Sequence, residues 1–140
     1  MAKERLGIVV SEFNSEITHR MEKMAVEYAE KQMAGIADIV KVPGAYEIPF
    51  AAKKLLSRKD IDAVAALGAI IKGDTGHDIV IGHAVAKSLQ ELSLEFDKPV
   101  ALGIIGPNAT WEHAEKRAEE YSRRAVDAAL KMLRLFKKVH

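Results

Sequence analysis

The chain has 140 residues, 49% hydrophobic and 29% charged, which is enough for one domain with a sizeable core. A formal net charge of +1 with interspersed signs gives no broad attraction for nucleic acid or an anionic membrane, and three Tyr, four Phe and one Trp offer little for stacking on bases. The lack of cysteine excludes a disulfide scaffold, a thiolate metal site and a cysteine nucleophile, and fits a reducing compartment, with the cytoplasm as the default.

Leu6 to Val10 is too short for a signal peptide or a membrane span and predicts the first strand. A helix follows from about Ser15 to Met33, with Ile17, Met21, Met24, Ala25 and Tyr28 on one face and Asn14 or Ser15 as its cap. Ile39 to Val42 predicts a second strand, and Pro49 suits the first turn of a helix that runs to about Ser57. Ala63 to Ile71 predicts the third strand. Ile81, Val85, Leu89, Leu92 and Phe96 then recur at helical spacing until Pro99 forbids continuation. Val100 to Ile105 predicts the fourth strand, and a last helix after Thr110 carries Ala114, Ala118, Tyr121, Ala125, Ala128, Met132 and Phe136 on one face. Its basic end, Lys131, Arg134, Lys137 and Lys138, complements the helix dipole.

All four strands are apolar throughout, which predicts burial on both faces. The regular strand–helix alternation, with no repeat or linker, implies a four-stranded parallel sheet flanked by helices. The expectation is a three-layer α/β domain of flavodoxin-like type over residues 1–140. Such folds host many activities, so function has to be sought at the strand ends.

The first strand ends in Ser11-Glu12-Phe13-Asn14, where the aromatic is either a hydrophobic staple for the helix or a stacking surface for a ligand. The second ends in Val42-Pro43-Gly44-Ala45-Tyr46-Glu47-Ile48-Pro49, stiffened by two prolines; Glu47 either complements the helix dipole or is aimed at hydroxyl groups. The third, through Leu67-Gly68-Ala69-Ile70-Ile71, empties into Lys72-Gly73-Asp74-Thr75-Gly76-His77-Asp78. Parallel sheets place ligands just beyond such ends, where backbone N–H groups at a helix start hold anions. A purely structural reading also fits: the glycines shape a turn, Thr75 caps the helix with Asp78 as its partner, and His77 is solvated. His77, His83 and His113 have no spacing that makes a helical metal pair, so no metal is expected.

Together these three segments, in this order and at matching strand ends, resemble the three signatures of the lumazine synthases over nearly the whole chain. The short stretch before the first strand resembles the archaeal branch of that family. The resemblance implies a cofactor-free transferase that condenses 5-amino-6-(D-ribitylamino)uracil with 3,4-dihydroxy-2-butanone 4-phosphate to 6,7-dimethyl-8-ribityllumazine, releasing phosphate and water. By the same resemblance Phe13 stacks on the pyrimidine, Ala45, Tyr46 and Glu47 bind its ribityl side, and the backbone of Ala69, Ile70 and Ile71 reads the ring edge. Asp74 and Thr75 lie at the phosphate, His77 transfers protons, and Leu102 reaches in from a neighbouring subunit. Arg117 is the expected phosphate ligand and Arg124 a second candidate, although both also suit a solvated face paired with Glu120. The implied assembly is a homopentamer or a multiple such as a sixty-subunit shell.

Three positions depart from the family pattern. Asp74 stands where bacterial members carry a small neutral residue, so its carboxylate either points away from the phosphate or pairs with an arginine. Ile79 replaces an acid, leaving Asp78 as the candidate to orient His77. The spacing from Arg117 to the next basic residue also differs. Two alternatives are an archaeal-type riboflavin synthase, which shares a Val-Pro-Gly turn but lacks the Gly-Asp-Thr-Gly-His loop, and a non-catalytic shell that binds lumazine or flavin.

Overall fold

A computed structural model describes residues 3–137. Its elements alternate as β1 (Arg5–Ser11), α1 (Ser15–Lys31), β2 (Gly35–Val42), a short turn of helix at Ala45–Glu47, α2 (Ile48–Leu56), β3 (Ala63–Ile71), α3 (His77–Phe96), β4 (Val100–Ala109) and α4 (Trp111–Phe136). All neighbouring strands pair in parallel, in the order β2-β1-β3-β4. This is the three-layer flavodoxin-like architecture anticipated from the alternation of apolar runs.

The period-2 geometry of the central strands sorts their side chains between two cores. Leu6, Ile8 and Val10 of β1, with Ala63, Ala65, Leu67 and Ala69 of β3, pack under α1 and α4. Val9, Val64, Ala66 and Ile70 pack under α2 and α3. Ala25, Ala29, Ala118, Ala125 and Ala129 are small enough for α1 and α4 to approach closely, and the buried Ser122 hydroxyl donates to the Met21 carbonyl across that seam.

Burial on both faces holds for β1 and β3 but not for β2 and β4, which are half-covered because the strand order puts them at the edges. Both edge strands are also longer than predicted, since sheet pairing recruits Gly35 to Asp38 and Gly106 to Ala109, whose Gly, Asp, Pro and Asn disfavour strands locally. The first helix stops at Lys31, and Met33 lies outside it in a left-handed conformation, 72% exposed. In α4 the buried stripe is Ala114, Ala118, Ser122, Ala125, Val126, Ala129 and Leu130, so Ala128, Met132 and Phe136, expected on the core face, lie outside. The cause is a helix with apolar residues on two sides near its end.

Of the basic residues at the end of α4, Lys138 lies outside the described residues. Arg134 does more than complement the dipole. Its guanidinium spans both carboxylate oxygens of Glu4 at 3.0 and 3.3 Å and donates to the Gln32 carbonyl at 2.8 Å, closing the start of β1 against the ends of α1 and α4. Hydrogen bonding to Arg134 holds the Glu4 carboxyl below its ordinary value of 4.5. A lowered carboxylate stabilises the fold fully above its unfolded value and loses that contribution as pH falls through the folded one. Glu4→Gln is therefore expected to lower the thermal midpoint near neutral pH, with the difference closing below 4.5. Unfolding curves over this range check it, and a gap independent of pH would assign the loss to something other than the ion pair.

Candidate active site

The strand order reverses direction between β1 and β3, and a switch point of this kind is where parallel sheets offer a crevice at their carboxyl ends. Three loops converge there. Those after β1 and β2 are stitched together by backbone bonds, Glu12 N–H to the Val42 carbonyl at 2.8 Å and Phe13 N–H to the Pro43 carbonyl at 2.9 Å. Asn14 occupies the cap position of α1 with φ 64°, but its side chain does not cap the helix. Its Nδ2 instead donates to the Ala69 carbonyl at 2.9 Å, joining the first loop to the end of β3.

Phe13 is 67% exposed, and the position a staple partner would take is filled by Thr18, which is polar. The ring edge rests on Gly44: a Cβ there would lie 2.8 Å from Phe13 Cδ2. Phe13 therefore lacks the apolar partner a staple needs and presents its ring to solvent. Glu47 Oε1 accepts the Gly44 N–H at 2.9 Å, which stiffens the turn carrying buried Ala45 and exposed Tyr46.

At the end of β3, Ala69 and Ile70 are buried and Ile71 half-buried, and the pairing with β4 breaks register between Ala69 and Ile71. The following loop exposes Asp74 and Thr75. Thr75 does not cap α3; Gly76 does, at φ 70°, without a side-chain bond. His77 opens the helix and is exposed, beside the N–H groups that the first turn of any helix leaves without an intrahelical acceptor. Asp78 is only 4% exposed, and its Oδ2 accepts the backbone N–H of Asn108 at 2.9 Å. It neither pairs with Thr75 as a cap nor hydrogen-bonds the His77 ring. Asn108, supplied by the longer β4, was not visible as a site neighbour in the sequence.

The remaining candidates lie elsewhere. Leu102, 55% exposed, pairs with Ala66, five residues before Ile71, so it sits roughly 17 Å along the sheet from the end of β3. It lines a depression of about 270 Å³ with Tyr121, Arg124, Ala125 and Ala128. Arg124 and Arg117 flank Glu120 at 3.6 and 3.9 Å, both well exposed, and the Arg124 guanidinium lies 5.8 Å from the centroid of the Tyr121 ring. The structure therefore groups Phe13, Ala45, Tyr46, Glu47, Ala69, Ile70, Ile71, Asp74, Thr75 and His77 at one end of the sheet, and Leu102 with Arg124 on another surface. Asp74 takes part in no ion pair among the described residues, which also contain no group of three or more His, Asp or Glu able to hold a metal ion.

The family model described as 6,7-dimethyl-8-ribityllumazine synthase matches residues 3–137. The chain belongs to that family. It is similar to proteins named 6,7-dimethyl-8-ribityllumazine synthase from Metallosphaera sedula, 58% identical over 93% of this chain and 86% of the relative, and from Methanopyrus kandleri, 52% identical over 96% and 94%. A third such relative, from Staphylothermus marinus, is 51% identical over 92% and 86%. Membership in the lumazine synthase family does not favour the riboflavin synthase alternative.

The Phe13–Gly44 contact is testable with the ribitylaminopyrimidinedione. Phe13→Ala is expected to weaken its binding about tenfold and to spare the phosphate substrate, whereas Phe13→Trp keeps a stacking face and is tolerated. Gly44→Ala pushes the ring aside and should reproduce part of the Phe13→Ala loss with little change in thermal midpoint. Titration calorimetry with each substrate checks this; equal losses for both would return Phe13 to a structural role.

Proposed function

We propose that the chain is the transferase its family is named for, condensing 5-amino-6-(D-ribitylamino)uracil with 3,4-dihydroxy-2-butanone 4-phosphate to 6,7-dimethyl-8-ribityllumazine in riboflavin biosynthesis. The observation that carries this reading is the convergence, at one switch point, of an exposed aromatic backed by Gly44, a stiff Glu47 turn and a Gly-rich loop that presents Thr75 and His77. Phe13 binds the flat pyrimidine, the Ala45-Tyr46-Glu47 turn takes the ribityl hydroxyls, and the strand end at Ala69, Ile70 and Ile71 meets the ring edge. Thr75 and the N–H groups at the start of α3 receive the phosphate, with Asp74 at the rim.

The chemistry consists of proton movements: imine formation between amine and ketone with loss of water, loss of phosphate, tautomerisation, and ring closure with loss of a second water. An imidazole can both take and give a proton, which suits His77 to these steps. No nucleophile is required, and holding two substrates in register supplies much of the remaining acceleration. Leu102 and Arg117, with Arg124 as the second candidate, complete the site from a neighbouring subunit; the distance of Leu102 from the crevice within one chain supports that division. The assembly is a homopentamer or a multiple such as a sixty-subunit shell, in which the exposed Met132, Leu135 and Phe136 find cover. The place of action is the cytoplasm; among the described residues no helix is long and apolar enough to cross a membrane.

Incubation of the purified protein with both substrates should generate lumazine fluorescence well above the spontaneous rate. His77→Ala is expected to reduce kcat by about a hundredfold without abolishing it, because positioning survives. Unchanged turnover in a folded variant would remove the proton-transfer role.

The division between subunits is tested by mixing. His77→Ala and Arg117→Ala proteins, each nearly inactive, should regain activity when unfolded together and reassembled, to at most about a quarter of the parent value, since each interface takes one half-site from either neighbour. Mixed particles seen by mass spectrometry without recovery would mean that both residues act within one chain.

A further inference from the structure

Building on His77 as the proton-transfer residue, we propose that Asp78 is its positioning residue, acting not on the ring but by fastening the first turn of α3 to the end of β4. The His77 side chain forms no hydrogen bond with any described residue, so the place of its ring is set by the backbone that carries it. The loop before it supplies little restraint. A Cβ built on Gly73 or Gly76 meets nothing within 4 Å, Asp74 and Thr75 are exposed, and α3 starts without a side-chain cap. After His77, Ile79 and Val80 are exposed as well. Asp78 is the buried side chain of that turn, and its carboxylate holds the Asn108 N–H at 2.9 Å. A charge-assisted bond of this kind, at the positive end of a helix, is among the stronger ties a surface turn can have.

A second contact one turn on supports the same docking. A Cβ on Gly82 would lie 2.9 Å from Pro107 Cδ, so α3 lies directly against the segment that carries Asn108. The helix carrying the imidazole is thus registered on β4 at two side contacts. A displacement of about an ångström at a reacting group costs up to about a hundredfold in rate, which makes a tie of this kind matter to turnover.

The test measures kcat, both KM values and the thermal midpoint for Asp78→Ala, Asp78→Asn, Gly82→Ala and His77→Ala, and for each of the first three combined with His77→Ala. Asp78→Ala should lower kcat about tenfold and leave KM for the pyrimidinedione unchanged. Asp78→Asn, which keeps an oxygen to accept the Asn108 N–H, should retain most of the activity. Gly82→Ala, which forces Pro107 and α3 apart while keeping the Asp78 carboxylate, should lower kcat in the same direction and serves if Asp78→Ala does not fold. In the His77→Ala background none of the three should lower kcat further, because there is no ring left to position. An equal fold-loss in both backgrounds would overturn the proposal while leaving the role of His77 intact. Parental kcat in a folded Asp78→Ala protein would overturn it too. His77→Ala with unchanged kcat would remove the proton-transfer reading and this proposal with it.

Discussion

The burial of β1 and β3 on both faces is the constraint from which the rest follows. Neither strand has a face it can show to water, so helices must cover both sides, and the chain satisfies this by sending α1 and α4 to one face and α2 and α3 to the other. Helices departing in opposite directions from adjacent strands leave a gap between the loops after β1 and β3. Asn14 bridges that gap to Ala69 with its side chain, so the crevice is a defined width rather than a loose separation of loops.

The two ends of the sheet are used differently. At the amino end, ion pairs and capping bonds accumulate: Arg58 reaches Asp38 and Asp60 at 2.6 and 2.8 Å, Arg5 reaches Asp62 at 3.1 Å, and the Lys98 ammonium donates to the carbonyls of Leu56 and Arg58, both at 2.9 Å. These charges satisfy one another locally. At the carboxyl end an aromatic, a tyrosine, a threonine and an imidazole are exposed on backbone that is itself well tied. A fold stabilised at one end can leave side chains at the other free to meet a ligand, because the backbone bonds between the loops and the hydrogen bond of Asp78 restrain the frame and not the tips.

What could be read from the sequence, and what could not, divides along the range of the interactions. The central strands were legible because a short, continuous apolar run between turn signals fits little besides a strand covered on both faces. The edge strands were cut short because Gly35 to Asp38 and Gly106 to Ala109 become strand only through pairing with β1 and β3, a contact that local propensity does not contain. Towards the end of α4 spacing alone does not mark the core face, because Met132 and Phe136 are as apolar as Leu130, and only the position of the sheet decides which side is inside. The site loops were legible from their place at strand ends, but the partner of Asp78 was not. A backbone N–H thirty residues away leaves no trace in side-chain spacing.

The same range argument bears on catalysis. A reaction made of proton transfers and a condensation needs few chemically unusual residues, and none of the crevice side chains is of a rare type. Rate then depends on how well ordinary groups are placed. In this chain the candidate groups sit on tied backbone: the Phe13 ring lies over Gly44, Glu47 accepts the N–H of its own turn, and the helix that starts at His77 meets β4 through Asp78 and Gly82. β4 also carries Leu102 seven residues before its end, in the depression it shares with Tyr121 and Arg124. One edge strand is therefore attached both to the turn that starts at His77 and to the depression at Leu102, and its register against β3 sets the two relative to each other.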